Sequence, residues 1–374
     1  MTDVVIAGYK RSPFQFAGKG ALARVRGDEM AAAVVAALVA ESGVDPATLE
    51  DLIMGCAFPE GEQGLNVARL VGFLAKLPES VAGVTVNRFC GSSMQSVHQA
   101  AGAIRMGAGE AFICAGMESM SRVPMMGFNP MPNPSLAHDF PQAYIGMGET
   151  AENVALRHQI SRAEQEAFAV RSHHKAAAAQ SAGKLSGEIV AVGGVEQDGC
   201  IRADSSAEAL AGLKPAFRAD GTVTAGTSSP LTDGASAVLV CSLDYARRFG
   251  LTPLAKVRSI AVAGCAPEIM GIGPVGASRK ALSRAGIAAS DVDVVELNEA
   301  FASQALACMR ELGIDESRVN KDGGAIALGH PLGATGARIV GKAAQVLQRD
   351  GGRYALATQC IGGGQGIATV LEAV

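Results

Sequence analysis

The chain has 374 residues, of which 48% are hydrophobic and 4% aromatic, and its formal net charge is −4. This length exceeds that of one simple core and predicts two or three lobes. The acidic balance argues against nonspecific nucleic-acid binding, which needs a basic surface. No apolar run is long enough to cross a bilayer, and the first residues lack a signal-peptide profile, so we expect a cytoplasmic protein without a membrane span.

The cysteines are scattered and form no CxxC pair, which is typical of reduced thiols and not of a disulfide or zinc framework. We therefore predict no metal site. The eight positions are Cys56, Cys90, Cys114, Cys200, Cys241, Cys265, Cys308 and Cys360.

Strand and helix patterns alternate in the first third of the chain. In order, the patterns predict strand Val4–Ala7, helix Asp28–Ser42, strand Leu49–Cys56, helix Leu65–Leu77, strand Val84–Asn87, helix Gly91–Met106 and strand Ala111–Gly116. The last of these is wholly apolar, as in a parallel sheet.

This rhythm stops at about Ser119. A stretch dense in Met and Pro predicts a long loop to Gly148, and loose Gly-rich sequence fills much of the region up to Ser229. Between them, Ser161 and Glu164 form a capping-box pattern that predicts a helix running to about Ala182.

The second half repeats the element order of the first, which indicates weak internal symmetry and α/β layers. After strand Ala235–Cys241, the predicted elements are strand Lys256–Ala263, helix Val275–Ala285, strand Val292–Leu297, helix Ala302–Leu312, helix Thr335–Arg349 and a final pair of strands beginning at Tyr354.

Cys90 follows a β-branched strand and begins a helix with Gly91-Ser92-Ser93. A helix N-terminus lowers the pKa of a thiol and offers N–H groups to an anion, so this position predicts a nucleophile. The alternative is a buried cysteine that only fills space.

His330 lies between Gly329 and Pro331, in a stretch that cannot be helix interior. We interpret it as a base for the thiol, and the alternative is a structural or solvated histidine. Further glycines around it, at positions 323, 324, 333 and 336, predict a backbone packed against another segment.

Two further candidates follow predicted strands. Cys360 leads into the glycines 362–364, whose N–H groups are free to face a ligand, although a β-bulge in a terminal hairpin is the alternative. Asn298 follows its strand at the carboxyl end, where α/β sheets place their sites, and the alternative is a cap for the next helix.

The chain resembles the thiolase family over essentially its full length, and within it the bacterial enzymes that degrade 3-ketoacyl-CoA in fatty acid β-oxidation. The matching stretches are VNRFCGSSMQSVH, GTVTAGTSSPLTDGA, GPVGASRKAL, ELNEAFA, NKDGGAIALGHPLGATGAR and CIGGGQGIA. Four of them carry chemistry, and they occur in the family's order.

This resemblance implies the thiolase fold, an α/β architecture of two similar αβαβα-layered halves with an inserted loop domain. The N-terminal half would comprise residues 1–118 and 232–253, the CoA-binding loop domain residues 119–231, and the C-terminal half residues 254–374.

The resemblance also implies roles. Cys90 would carry the acyl group, His330 would take its proton, and Cys360 would protonate the departing acetyl-CoA carbanion. Asn298, through a water, and His330 would bind the thioester oxygen. The backbone N–H groups of Cys90 and Gly362 would stabilise the oxyanion at the ketone carbon.

Coenzyme A is implied as a co-substrate, with no tightly bound cofactor. By resemblance, the residues that line its groove are Arg202, Leu213, Ala216, Phe217, Ala225 and Ser229, with Met147 and Phe301 at the inner end. Without the resemblance, a solvated surface residue is the preferred interpretation of Arg202.

One departure bears on the substrate. Short-chain members carry His-Met-Gly where this chain has Gly146-Met147-Gly148, so loss of the imidazole favours longer acyl chains and the degradative reaction. The alternatives are a biosynthetic acetyl-CoA C-acetyltransferase that makes acetoacetyl-CoA, or a non-catalytic lipid or CoA carrier on the same fold. Two cysteines with His330 argue against a ketoacyl-carrier-protein synthase.

The family is usually dimeric or tetrameric, so the resemblance implies a homodimer or homotetramer. The Pro- and Met-rich stretch from Val123 to Pro141 could mediate tetramer contacts or contact a β-oxidation partner subunit.

Overall fold

The computed structural model describes residues 2–374. Its strands, in chain order, are β1 (Val4–Arg11), β2 (Gln15–Phe16), β3 (Asp51–Gly55), β4 (Ala82–Val86), β5 (Ala111–Ser119), β6 (Thr232–Ser242), β7 (Ala255–Gly264), β8 (Val294–Leu297), β9 (Tyr354–Ile361) and β10 (Gln365–Glu372). Its α-helices are α1 (Gly27–Ser42), α2 (Val67–Leu74), α3 (Ser92–Arg105), α4 (Pro134–Asp139), α5 (Met147–Arg157), α6 (Arg162–Ser181), α7 (Ala207–Ala211), α8 (Leu243–Phe249), α9 (Gly273–Ala285), α10 (Ala302–Leu312), α11 (Ala325–Leu328) and α12 (Thr335–Asp350).

The strands form two half-sheets joined at a narrow seam. The order is β4-β3-β5-β6-β1 in one half and β7-β10-β9-β8 in the other, with β2 paired to β6. The seam between β1 and β7 has only two residue pairs, Val5 with Lys256 and Ile6 with Ala255. Each half mixes parallel and antiparallel pairs, for example β3 parallel to β5 and β5 antiparallel to β6.

The helices lie in three layers around the two half-sheets. Helices α1 and α2 pack outside the first half-sheet, where Val35 and Leu52 belong to one core. Helices α3 and α12 share the middle layer, where Met94 and Ile339 belong to a second core. Helices α9 and α10 cover the second half-sheet. The resulting αβαβα order confirms the predicted fold class.

The internal symmetry predicted from element order is also present in the strand pairing. Strand order β3-β5-β6-β1 in the first half corresponds to β8-β9-β10-β7 in the second. In the position that β4 takes beside β3, the second half has a single parallel bridge between Val295 and Val319. The two halves are therefore two copies of one folding unit packed through their α3 and α12 helices.

The segment 119–231 connects β5 to β6 and carries α4 to α7. The capping box at Ser161 and Glu164 is confirmed, because the Ser161 hydroxyl accepts from the Glu164 N–H and the Glu164 carboxylate accepts from the Ser161 N–H. The prediction of one long loop up to Gly148 was wrong in part, because α4 lies within that stretch, and α5, which begins at Met147, was missed. Helix α5 is fixed by tertiary contacts, since its Glu152 accepts the N–H groups of residues 222 and 223 at 2.9 Å each.

Within residues 2–374, the cysteines are all free, and no group of three His, Cys, Asp or Glu side chains is placed to hold a metal ion. In the same part of the chain, no helix combines the length and the apolar character that a membrane crossing requires.

A chain of buried ion pairs ties the inserted segment to both halves. Arg11 on β1 makes two 2.7 Å bonds to Asp198 and one of 2.8 Å to Glu188. Glu188 also accepts from Lys342 on α12 at 3.0 Å, and Lys342 pairs with Asp322 at 2.8 Å. Because these charges are removed from water, each depends on its partner.

We therefore expect Asp198→Asn to lower the free energy of unfolding by about 3 kcal/mol, since it leaves the buried Arg11 with only a carboxylate that it shares with Lys342. Urea denaturation would measure this. Glu316→Gln, which breaks the half-exposed pair with Arg171, is the control and should cost less than about 1 kcal/mol. Equal losses in the two variants would contradict a structural role for the buried network.

Candidate active site

Cys90 lies in a 3₁₀ turn, Phe89–Gly91, between β4 and α3. Phe89 has a φ of +42°, a left-handed conformation that is unfavourable for a bulky residue. The Phe89 N–H donates to Asn87 Oδ1 at 2.8 Å, and the Ser92 hydroxyl donates to the Phe89 carbonyl at 2.6 Å. The local backbone is thus strained but held, and it places the thiol at the start of α3.

The C-terminal hairpin closes over Cys90. The Gln359 amide donates to the Cys90 carbonyl, and Gly91 packs directly on Ile361. The backbone N–H groups of Gly362 and of Cys90 itself lower the pKa of the Cys90 thiol, so both lie near its sulfur. A negative charge on Cys90 would raise the pKa of the Cys360 thiol, so the two sulfurs lie near each other. The structure therefore brings these two cysteines and the Gly362 N–H into one buried region.

Burial controls the ionisation of both thiols. It raises the pKa of Cys90 to about 11, although the N–H groups of Gly362 and Cys90 oppose the rise. The expectation that the helix N-terminus lowers this pKa was wrong, because desolvation outweighs the N–H donors. Burial, and then the charge of Cys90, raises the pKa of Cys360 well above its usual value. Both side chains are neutral thiols at pH 7.

Cys360 is the second-last residue of β9, and glycines 362–364 form the turn to β10. Gly363 and Gly364 have φ values of +78° and +82°, which only glycine adopts readily. The terminal hairpin is present, but β9 and β10 pair without a register shift, so the β-bulge that we gave as the alternative is wrong. The same turn carries the Gly362 N–H, which lowers the pKa of the Cys90 thiol.

The imidazole of His330 is held in one tautomer. Its Nδ1 lies 2.6 Å from the Thr335 hydroxyl, which itself donates to the Pro331 carbonyl at 2.9 Å. Because the hydroxyl hydrogen is used on Pro331, the hydroxyl oxygen accepts from Nδ1–H. The lone pair of a neutral His330 is therefore on Nε2.

His330 is 4% exposed, and burial, with a smaller contribution from the charge of Arg338, lowers its pKa to about 3. The ring is neutral at pH 7, so Nε2 is available to accept a proton. Cys90 and His330 are thus both neutral, in contrast to a thiolate–imidazolium pair.

Asn298 follows β8 and is completely buried. Its Nδ2 lies 3.2 Å from His330 Nε2, while its Oδ1 has no partner within residues 2–374. The alternative that Asn298 caps the next helix was wrong, because Phe301 is the N-cap of α10. The structure therefore brings Asn298 and His330 together as one pair of polar groups.

The turn that carries His330 packs backbone-to-backbone against β5. A Cβ at Gly116 would collide with the Gly333 carbonyl, and a Cβ at Gly333 would collide with the Met117 carbonyl. Next to this contact, Ser93 at the start of α3 accepts the Ala337 N–H at 2.8 Å. The glycine pattern correctly predicted a packed backbone, and the contact holds the Asn298–His330 pair beside the turn of Cys90.

Three of the residues predicted to line a groove, Met147, Phe217 and Phe301, lie together. The rings of Phe217 and Phe301 meet edge-to-face, with centroids 5.9 Å apart, and Phe217 is 42% exposed. Met147 and Phe301 share an apolar cluster with Cys360. Ser229 donates to the Ala300 carbonyl beside Phe301 through its N–H at 2.9 Å and its hydroxyl at 3.1 Å.

The remaining predicted residues make other contacts. Leu213 packs on Gly226, next to Ala225, and Ala216 donates its N–H to the Val223 carbonyl at 2.9 Å. Arg202 lies over the ring of Phe16, 5.6 Å from its centroid, and so contacts a different part of the chain.

Sequence reasoning missed three residues that hold the site. Gln359 binds the Cys90 carbonyl, Thr335 orients His330, and Glu118 accepts the Gly333 N–H. Glu118 carried a usable signal, since it is a carboxylate inside the otherwise apolar run that forms β5. Gln359 and Thr335 carried none, because their partners come from distant segments.

Comparisons with known proteins agree with this geometry. The family model described as the thiolase N-terminal domain matches residues 4–244, and the model of the thiolase C-terminal domain matches residues 251–373. A 3-ketoacyl-CoA thiolase of Bacillus subtilis (strain 168) is 47% identical over 389 aligned residues, covering 100% of both chains. One from Marinomonas sp. (strain MWYL1) is 48% identical and covers 100% of this chain and 98% of its own.

Solved structures give the same result. The crystal structure of human mitochondrial 3-ketoacyl-CoA thiolase is 38% identical, with a TM-score of 0.92, and the match covers 100% of this chain and 99% of that one. Its complex with CoA matches with the same TM-score. The family models together with these full-length matches lead to one conclusion: the chain belongs to the thiolase family.

Proposed function

We propose that this chain is a 3-ketoacyl-CoA thiolase, which uses CoA to cleave 3-ketoacyl-CoA into acetyl-CoA and a shortened acyl-CoA. The observation that carries the proposal is that two thiols, Cys90 and Cys360, lie in one buried region with the Gly362 N–H. Relatives at 47% identity over their whole length have this name, which supports the same reaction here.

In the first half-reaction, His330 Nε2 takes the proton of Cys90 as the sulfur attacks the ketone carbon. The N–H groups of Cys90 and Gly362 stabilise the resulting oxyanion, an effect worth roughly 3–4 kcal/mol per donor. The C2–C3 bond then breaks, and its electron pair leaves as the acetyl-CoA enolate. Cys360 protonates that carbon, while Asn298, through a water, and His330 bind the thioester oxygen.

In the second half-reaction, the Cys360 thiolate left by the first takes the proton of the CoA thiol, and the CoA sulfur attacks the acyl group on Cys90. The product is the shortened acyl-CoA, and the sulfur of Cys90 leaves and recovers its proton from His330. This is a ping-pong exchange through a thioester on the enzyme. The neutral resting state suits the exchange, because each proton has a nearby acceptor when charge develops.

We further propose that residues 119–231 form the CoA-binding domain between the N-terminal half, residues 1–118 and 232–253, and the C-terminal half, residues 254–374. The half-exposed Phe217 above Phe301, with Met147 reaching Cys360, supports a groove that leads to the thiols. The complex of the human mitochondrial thiolase with CoA supports the same ligand. Arg202 is proposed as a contact of the nucleotide end.

A homodimer or homotetramer is the proposed working form. Exposed apolar side chains in the stretch from Val123 to Pro141, among them Met126 and Met131, support self-association. A β-oxidation partner subunit stays a prediction.

The degradative reaction is favoured by the space at Gly146. A Cβ built there meets no atom within 4 Å, so the site has room where short-chain family members have an imidazole. Gly146 has ordinary extended backbone angles, φ −66° and ψ 141°, and accepts a side chain without strain.

Cys90 should be the site of alkylation by iodoacetamide, and acyl-CoA should protect it. In His330→Ala, its labelling rate should rise about tenfold per pH unit between pH 7 and 10, because thiolate is the reactive form and the pKa is about 11. Peptide mass spectrometry would follow both cysteines. Cys265, which is partly exposed, is the internal control and should react equally in the two proteins. Normal turnover by Cys90→Ala would refute the nucleophile assignment.

His330→Ala should lower kcat by roughly 10²–10⁴-fold and change KM little, because the imidazole acts on a proton and not on the CoA moiety. Steady-state thiolysis, followed by loss of the enolate absorbance, measures both. Asn298→Ala is the companion variant and should also lower kcat. An unchanged kcat in His330→Ala would remove the base role.

Gly146→His should shift the enzyme towards short substrates. The added imidazole occupies the open space, so kcat/KM for a long 3-ketoacyl-CoA should fall about tenfold or more relative to the four-carbon substrate. Gly146→Ser is the small-side-chain control. A preference of the wild-type chain for acetoacetyl-CoA would contradict the degradative proposal and support the biosynthetic alternative.

A further inference from the structure

Glu118, near the end of β5, is a buried carboxylate that contacts both sides of the candidate site. It is 1% exposed. Its oxygens accept from the N–H of Ala57 (2.8 Å), the N–H of Gly333 (2.9 Å), the amide of Gln63 (3.0 Å), the N–H of Phe58 (3.2 Å) and the thiol of Cys56 (3.7 Å).

The donor set identifies the charge state of this group. Within residues 2–374, no lysine, arginine or histidine forms an ion pair with Glu118. Four of the five partners are N–H groups, which can only donate, and an ionised carboxylate offers both of its oxygens to them. Burial raises the pKa of Glu118, and the N–H donors oppose that rise. The geometry fits a carboxylate that only accepts.

One arm of this contact leads to Cys90. The Ala57 carbonyl, next to the N–H that Glu118 binds, accepts from the Asn87 amide at 2.9 Å. Asn87 in turn accepts the N–H of Phe89, the residue with the left-handed φ. The rings of Phe58 and Phe89 also lie 6.0 Å apart. The loop that Glu118 holds is therefore the support of the strained turn before the thiol.

The other arm leads to His330. Gly333 lies in the turn between His330 and Thr335, whose hydroxyl fixes the imidazole tautomer. A single carboxylate oxygen, Oε2, accepts from both Gly333 and Ala57. One atom thus joins the segment that supports the thiol to the turn that carries the imidazole.

We propose that Glu118 is a positioning residue, whose buried carboxylate holds the turn of Cys90 and the turn of His330 in register so that Nε2 can reach the thiol proton. This inference rests on the proposed function, in which His330 is the base for Cys90. Glu118 touches no substrate in this scheme and acts only through the two turns.

Glu118→Gln is the direct test, because it keeps the shape but replaces one accepting oxygen by an NH₂ donor that faces backbone N–H groups. We expect kcat to fall roughly 10²-fold with KM changed by less than about twofold, since a displacement near 1 Å at a catalytic group costs this much. The rate of Cys90 alkylation at pH 7 should fall towards that of His330→Ala.

Glu188→Gln is the matched control. Glu188 is an equally buried carboxylate with two hydrogen bonds, but its partners are the side chains of Arg11 and Lys342 in the ion-pair network. It should lower the melting temperature, measured by circular dichroism, yet leave Cys90 alkylation within about twofold of wild type. If Glu118→Gln does not fold, Glu118→Asp replaces it in the test. This variant retains the charge with a shorter reach, so its kcat should be below that of the wild type but above that expected for Glu118→Gln.

The outcomes separate this proposal from the one on which it rests. If His330→Ala leaves alkylation of Cys90 unchanged, the base role fails, and the positioning role fails with it. If His330→Ala slows alkylation while folded Glu118→Gln or Glu118→Asp matches the wild type in kcat and alkylation, only the positioning role is overturned.

Discussion

The structure depends on a place where two backbones touch without side chains between them. Gly116 on β5 and Gly333 in the turn after His330 are each so close to the other segment that a single methyl group at either would collide with a carbonyl oxygen. Only glycine permits this approach. It places α12 beside α3 in the middle layer, and it therefore decides how the two halves of the chain meet.

The fold was largely predictable because its strands are short, apolar and separated by helices of ordinary spacing. The stretch Ala111–Gly116 was predicted to be a buried strand, and it forms most of the buried strand β5. The stretch around α5 was not predictable in this way. Its helix begins at a glycine and a methionine after a region rich in proline. The helix is held in place because its Glu152 binds a segment some 70 residues later in the chain. Such a helix is specified by tertiary contacts more than by its own pattern.

The candidate site shows the same division. Cys90, Asn298 and Cys360 were selected as candidates from local patterns, which were a helix N-terminus, the carboxyl end of a strand and a run of glycines. Their ionisation was not accessible from the sequence. The dipole of α3 is a local feature, but the desolvation that raises the pKa of Cys90 comes from the C-terminal hairpin that covers it. Partners such as Thr335 could be assigned only once the turn was seen.

The protonated state of the resting sulfur bears on how the protein survives oxidants. Peroxide and other soft oxidants attack ionised sulfur, and the lesions begin with sulfenic acid. A site that keeps its nucleophile protonated, shielded by a hairpin, offers little to such reagents between turnovers. Its reactivity instead depends on His330, which accepts the thiol proton as the sulfur attacks an electrophile. The desolvation that makes ionisation of Cys90 costly thus also protects its sulfur from oxidation.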